Sequence, residues 1–182
     1  MAGEVLVAFG TRHESTRGIA AAVTDILRAA GIAVELVPVS TVGSLGHVRA
    51  AVLGSAVWDD GWLPGAYEFL AEHERDLAAI PTWLFASGPL DHVPAGAKSD
   101  VPDGLVDVIG RIGPRDVALF AGSLQPHHLA SGLRLLSRLA RTNVGDHRDW
   151  EAIERWANGI RDALLAEAPA AARGGWRPGE GS

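Results

Sequence analysis

The feature that most constrains the fold is the alternation of short apolar segments with amphipathic segments along the chain. The apolar segments lack an alternating polar face, which is typical of strands buried on both faces. They are Glu4–Phe9, Ala33–Val39, Ala50–Gly54, Thr82–Ala86 and Val117–Ala121. Pro38 places the second strand at or near an edge, because proline cannot donate to a sheet ladder. Strands separated by helices predict one α/β domain with a parallel sheet covered on both faces.

The amphipathic segments carry apolar residues at helical spacing. In the first, Ile19, Val23 and Leu27 fall on one face, and Gly31 follows where helices commonly end. Asp149 is a favourable N-cap for the last. We predict helices over Thr16–Ala30, Leu63–Leu77, Pro102–Ile112 and Trp150–Leu165.

Composition narrows the possible functions. The chain is 47% hydrophobic and 21% charged, which is typical of a globular domain. Its net charge of −6 disfavours binding to nucleic acid. The absence of cysteine excludes disulfides, thiolate catalysis and cysteine-ligated metals, and it fits a cytoplasmic location. No signal peptide is evident, and no apolar run approaches the roughly 20 residues that span a bilayer.

The turn between the first strand and the first helix is rich in hydroxyl and cationic groups. Thr11, Arg12, His13, Ser15 and Thr16 lie there, outside the carboxyl end of a strand where α/β sheets bind ligands. The helix N-terminus adds N–H donors and a partial charge of about +0.5, which favours a phosphate. The turn lacks the glycine patterns of triphosphate and dinucleotide sites. We therefore predict a mononucleotide phosphate site, with a plain N-capped helix as the alternative.

Two further loops are expected at the same edge of the sheet. The third strand leads into Ser55–Trp58, and the fourth leads into Ser87–Pro89. A flavin ring needs an aromatic or apolar face together with backbone groups at its edge. Trp58 offers the face, while the backbone at Ser55, Ala56, Val57, Ser87, Gly88 and Pro89 offers the polar groups. The alternative for Trp58 is packing in the core.

Together these motifs resemble the flavodoxin family. Residues 11–16 (TRHEST) occupy the place of that family's phosphate loop, which usually reads Thr/Ser-x-Thr-Gly-x-Thr. The resemblance implies a flavodoxin-like three-layer sandwich over residues 1–166, with a five-stranded parallel sheet of order 2-1-3-4-5. It also implies FMN as cofactor and a redox function, either electron transfer or an FMN-dependent oxidoreductase reaction with no catalytic side chain.

The final third is similar to the branch that contains menaquinone-dependent protoporphyrinogen oxidase. The similar segments are residues 120–125 (FAGSLQ) and 145–150 (GDHRDW), which flank an inserted helical segment of about 126–148. This implies a quinone or porphyrin as redox partner. The arginine-bearing helix Leu129–Arg141 permits peripheral membrane contact, although packing on the domain is the preferred interpretation. We expect residues 167–182, rich in Ala, Gly and Pro, to form a disordered tail.

Glu14 departs from the family pattern because it stands where the family normally has glycine. A carboxylate beside a phosphate is repulsive, and a side chain disturbs a turn that glycine usually serves. An outward orientation, or an ion pair with Arg12 or Arg17, would preserve the site. The alternative is a flavin-free binding or scaffold domain with the same fold.

Overall fold

The computed structural model of the chain describes residues 3–11, 14–58, 61–88, 106–121, 123–124, 145–146 and 148–167. The strands are β1 (Glu4–Gly10), β2 (Val34–Pro38), β3 (Val48–Trp58), β4 (Gly61–Trp62), β5 (Thr82–Gly88), β6 (Asp116–Ala121), β7 (Ser123–Leu124) and β8 (Gly145–Asp146). The helices are α1 (Ser15–Ala29), α2 (Pro64–Glu72), α3 (Glu74–Ala78), α4 (Val106–Ile112) and α5 (Trp150–Glu167), and a 3-10 turn covers Val39–Thr41.

The five long strands form one parallel sheet in the order β2-β1-β3-β5-β6. When only these five strands are numbered in chain order, their order in the sheet is 2-1-3-4-5, as predicted. β2 is an edge strand, as Pro38 predicted. The order reverses between β1 and β3, and open α/β sheets bind ligands at such a reversal, outside the carboxyl ends of the strands. The β1–α1 turn therefore lies where a ligand site is expected.

Strand periodicity divides the core into two layers. Val5, Val7 and Phe9 of β1 belong to the layer that contains the buried faces of α1 and α5. Leu6 and Ala8 point the other way, into the layer formed with α2, α3 and α4. Because both faces of the central strands are buried, these strands are apolar throughout, and this is why their segments could be found from the sequence.

Several boundaries differ from prediction. β3 extends to Trp58, because Val57 and Trp58 pair antiparallel with β4 before the chain enters α2. The single helix predicted over Leu63–Leu77 is two helices, since His73 adopts φ −101 and ψ 16 between them. β7 and β8 form a small antiparallel pair that was not predicted.

α5 ends at Glu167, the first residue of the predicted tail, and the tail itself stays a prediction. Most of the inserted segment and residues 168–182 lie outside the described residues, as does the start of the helix predicted from Pro102. In the part of the chain that is described, no helix is both long and apolar enough to cross a membrane.

Candidate functional site

The β1–α1 turn presents the N-terminal end of a long helix at the carboxyl edge of the sheet. The N–H of Gly18 donates to the carbonyl of Glu14 at 2.8 Å, so the amides that precede it have no intrahelical acceptor. The first turn of α1 contains no acidic residue. A helix N-terminus at this position favours an anion. Arg12 and His13, predicted to assist, lie outside the described residues.

Thr11 supplies an unsatisfied hydroxyl at this turn. Its Oγ1 atom is buried and has no hydrogen-bond partner among the described residues. A buried polar atom without a partner costs about 1–3 kcal/mol, so such atoms commonly serve a ligand or an ordered water. A phosphate oxygen is a suitable acceptor for this hydroxyl. Thr11 therefore fits the predicted phosphate site.

Glu14 has the backbone conformation that the family pattern associates with glycine. Its φ of 36 lies in the left-handed region, and it is the only non-glycine residue there in the described part of the chain. Its carboxylate accepts a hydrogen bond from Nη1 of Arg17 at 2.8 Å, and the side chain is 67% exposed. Pairing with Arg17 was one of the arrangements predicted to preserve the site. The negative charge is thus partly compensated beside the turn.

Replacing Glu14 with glycine is expected to stabilise the protein. A left-handed L-residue costs about 1–2 kcal/mol, whereas an exposed ion pair contributes only about 0–1 kcal/mol. The free energy of unfolding from urea titration should rise by about 1 kcal/mol in Glu14→Gly. Glu14→Ala, which removes the carboxylate but keeps the Cβ, is the matched control and should show no gain. Equal stability in the two variants would contradict the backbone explanation.

A buried hydrogen bond joins the start of α1 to the end of β5, where a loop that contacts the flavin is predicted. Thr16 Oγ1 lies 2.8 Å from Ser87 Oγ, and both residues are buried. In the sheet, Gly10 is opposite Ser55, and Ala56 is opposite Ser87. The three predicted loops therefore do leave adjacent strands at one edge. The sequence predicted that Thr16 and Ser87 contact the cofactor. In the structure their hydroxyls bond to each other and so link α1 to β5.

Removing either hydroxyl should leave the other buried without its partner. We expect Thr16→Val and Ser87→Ala each to lower the free energy of unfolding by about 1–2 kcal/mol. The double variant should lose clearly less than the sum of the two, because it leaves no orphaned hydroxyl. Urea titrations of the four proteins complete this cycle. Strict additivity would show that the hydrogen bond contributes nothing to stability.

Ser55 is buried and has a comparable positioning role. Its hydroxyl donates to the carbonyl of Ala56 at 2.9 Å and accepts from the N–H of Leu63 at 3.1 Å. These bonds connect the end of β3 to the residue before α2. Ala56 and Val57 are half-buried in β3. The sequence predicted that backbone groups here contact the cofactor, and that stays a prediction. The hydroxyl of Ser55 makes its hydrogen bonds within the protein.

The remaining predicted contacts are described only in part. Trp58 is the last residue of β3, where its backbone pairs with Gly61, and its side chain lies outside the description. Gly88 is buried at the end of β5, and Pro89 lies outside the described residues. The structure thus shows where the two loops predicted to flank the flavin leave the sheet. Contact between the outer residues of these loops and a flavin stays a prediction.

A cavity of about 610 Å³ opens beside the β1–α1 turn. One wall comes from the end of β1 and the start of α1, through Phe9, Gly10, Thr11, Glu14 and Arg17. The other comes from β2, its following turn and the start of α2, through Leu36, Pro38, Val39, Ser40, Leu63, Gly65 and Ala66. Its volume lies within the range of about 300–1,000 Å³ typical of ligand sites. Sequence reasoning missed this second wall, because it depends on how α2 packs.

Arg148 is a second feature that sequence reasoning did not predict. Its guanidinium lies 4.3 Å from the ring centroid of Trp150, in a cation–π arrangement. It also passes so close to Gly18 that a Cβ there would lie 2.3 Å from Nη1. A cation from the segment just before α5 is therefore held against the first turns of α1. A glycine inside an otherwise good helical segment was the available signal for this close approach.

A doubly wound parallel sheet with a helix N-terminus at its order reversal belongs to the open α/β class, whose members bind ligands at such a reversal. Within that class, the flavodoxin domain family model matches residues 6–147, and the chain belongs to this family. Flavodoxin domains bind FMN, which supports the predicted cofactor. No curated protein is significantly similar in sequence.

Solved structures share the fold at low sequence identity. Flavodoxin 2 from Bacillus cereus is 19% identical with a TM-score of 0.57, over 89% of this chain and 99% of its own. A flavodoxin from Streptococcus pneumoniae TIGR4 is 18% identical with a TM-score of 0.55, over 90% and 99%. Rubredoxin oxygen:oxidoreductase from Desulfovibrio gigas is 18% identical with a TM-score of 0.60, over 90% of this chain. This chain covers only 36% of that oxidoreductase.

Proposed function

We propose that this protein binds FMN with its phosphate at the β1–α1 turn and acts as a redox protein, either an electron carrier or an FMN-dependent oxidoreductase. The observation that carries the proposal is the buried Oγ1 of Thr11 beside the N-terminal end of α1, which has no hydrogen-bond partner among the described residues. The ion pair between Glu14 and Arg17 favours FMN binding over the flavin-free scaffold alternative, because the carboxylate already has a cationic partner.

When bound, FMN supplies the electron or hydride transfer chemistry. The protein's own residues then bind and orient the group. Thr11 donates to a phosphate oxygen, and the first amides of α1 add further donors. The Thr16–Ser87 hydrogen bond fixes this turn relative to β5, and the bonds of Ser55 fix the start of α2 relative to β3. No side chain needs to act as a general acid or base.

A finer proposal names the reaction. The similarity of residues 120–125 and 145–150 to the protoporphyrinogen-oxidising branch supports a porphyrin as electron donor and a quinone as acceptor. We also propose a cytoplasmic location, as the absence of cysteine predicts. Menaquinone-coupled oxidation of protoporphyrinogen by the FMN-loaded protein tests it. Turnover no faster than that of free FMN at equal concentration would reject the porphyrin reaction and leave the general redox role intact.

The general proposal is tested by reconstitution. We expect one FMN per chain after gel filtration, and reversible reduction of the bound flavin at a midpoint potential displaced from that of free FMN. The displacement follows because burial and nearby charges change the relative stability of the two oxidation states. Bound FMN that cannot be reversibly reduced would contradict a redox role. Failure to retain any FMN would instead favour the scaffold alternative.

A further inference from the structure

Arg148 is held against the first turns of α1 by a glycine and an aromatic ring. Its guanidinium lies 4.3 Å from the ring centroid of Trp150. A Cβ at Gly18 would lie 2.3 Å from Nη1 and 3.6 Å from Cζ of Arg148, and 3.9 Å from Cη2 of Trp150. The guanidinium therefore packs directly on the backbone of α1, in space that a larger residue at position 18 would fill.

The guanidinium lies near the N-terminal end of α1, where the phosphate site is proposed. Gly18 is the fourth residue of the helix, so it is about 4.5 Å along the axis from Ser15. A Cα–Cβ bond in a helix tilts towards the N-terminus, so the contact point lies over the turn that contains Glu14 and Ser15. These dimensions put the guanidinium within about 10 Å of the first amides of α1. Charges at this separation still interact in about 0.1 M salt, where the Debye length is about 10 Å.

The charges of the β1–α1 turn itself give a phosphate little attraction. A phosphate monoester such as FMN carries a charge of about −1.5 to −2 at neutral pH. Arg17 is paired with Glu14 at 2.8 Å, and their side chains are 59% and 67% exposed, so this pair adds little net charge. Arg148 is half-buried and fixed on Trp150, so water screens its charge less. A cation held in this way attracts a phosphate more effectively than an exposed one.

We propose that Arg148 is a specificity-determining residue of the flavin site, whose charge favours FMN over a flavin without a phosphate. Gly18 and Trp150 hold its guanidinium in place. The inference rests on the proposed function and deepens it by assigning a cation to the phosphate. The guanidinium acts through its electric field, and it offsets the carboxylate of Glu14, which stands where the family normally has glycine.

Two substitutions of Arg148 separate its charge from its packing. Arg148→Gln removes the charge and keeps a long polar side chain, whereas Arg148→Lys keeps the charge. Arg155→Gln is the matched control, because Arg155 lies on α5 with a side chain that is 64% exposed and pairs with Glu151. Dissociation constants for FMN and riboflavin are measured by flavin fluorescence quenching at about 20 mM and about 500 mM NaCl, where screening is weak and strong.

Gly18→Ala tests the same inference without altering Arg148, and it serves if Arg148→Gln does not fold. Its methyl group displaces the guanidinium from α1, while alanine favours the helix. We expect FMN to bind about threefold more weakly, with riboflavin affinity unchanged and no loss of stability in urea titration. Unchanged FMN affinity in Gly18→Ala would contradict the role given to the glycine.

We expect Arg148→Gln to weaken FMN by about fivefold to tenfold at low salt and to leave riboflavin within about twofold. The FMN loss should shrink at high salt, because salt screens the field. Arg148→Lys should bind FMN within about threefold of the natural chain, and Arg155→Gln should change neither affinity.

Equal losses of FMN and riboflavin in Arg148→Gln would show that Arg148 only packs α5 against α1, and would overturn the inference. Unchanged FMN affinity in that variant, or a loss in Arg148→Lys as large as in Arg148→Gln, would overturn it too. Each of these results leaves the proposed function standing. A natural chain that binds no flavin would instead overturn the proposed function.

Discussion

The Gly54→Ala variant is expected to lose about 3 kcal/mol of folding stability, at the upper end of the usual cost of overpacking a core. A Cβ at this position would lie 2.0 Å from Cζ, 2.3 Å from Cε1 and 2.5 Å from Cε2 of Phe85. Gly54 and Phe85 are register partners on β3 and β5, so the ring covers the glycine directly. Urea titration followed by circular dichroism measures the loss.

The ring of Phe85 cannot easily move aside. Phe85 is fully buried, and its ring centroid lies 6.2 Å from that of Phe120 and 5.8 Å from that of Trp156. Gly110→Ala in α4 is the control, because nothing lies within 4 Å of an added Cβ there. It should gain about 0.5–1 kcal/mol from helix propensity. Stability of Gly54→Ala close to that of the natural chain would show that this core can repack.

The Thr11→Val variant is expected to weaken FMN binding by about tenfold or more, the loss of one hydrogen bond to a charged acceptor. The same substitution should stabilise the protein without FMN by about 1 kcal/mol, because it removes a buried hydroxyl that has no partner among the described residues. These opposite changes distinguish a ligand-binding group from a structural one. Flavin titration and urea denaturation measure them separately.

Thr24→Val is the matched control for Thr11→Val. Thr24 is also buried, but its hydroxyl donates to the carbonyl of Ala20 at 2.9 Å within α1. This variant should be less stable by up to about 1 kcal/mol, with FMN affinity unchanged. A loss of stability in Thr11→Val without a loss of affinity would remove Thr11 from the phosphate site.

The sheet and the place of the β1–α1 turn at its carboxyl edge could be predicted because strong local sequence signals indicate them. Val5–Phe9 is apolar at every position since both faces of β1 are buried, and Pro38 marks an edge strand. Once the strands were found, the placement of the three loops at one edge followed from parallel topology, and the pairing of Ala56 with Ser87 confirms it.

Features that depend on distant contacts could not be predicted. The cavity forms because α2 packs beside β1 and the turn after β2, and nothing in the local pattern of Leu63 or Leu36 encodes that packing. The hydroxyls of Thr16 and Ser87 meet across 71 residues of sequence. The sequence allowed several positions for the Glu14 carboxylate, including the observed ion pair with Arg17, because it does not determine which rotamer a side chain adopts.

The central claim, that the β1–α1 turn holds the cofactor's phosphate, is tested most directly by comparing FMN with riboflavin, which lacks the phosphate. Fluorescence-quenching titrations of the natural chain give the two dissociation constants. FMN should bind at least about a hundredfold more tightly, a difference of about 2.7 kcal/mol. Equal affinities for FMN and riboflavin would contradict the claim.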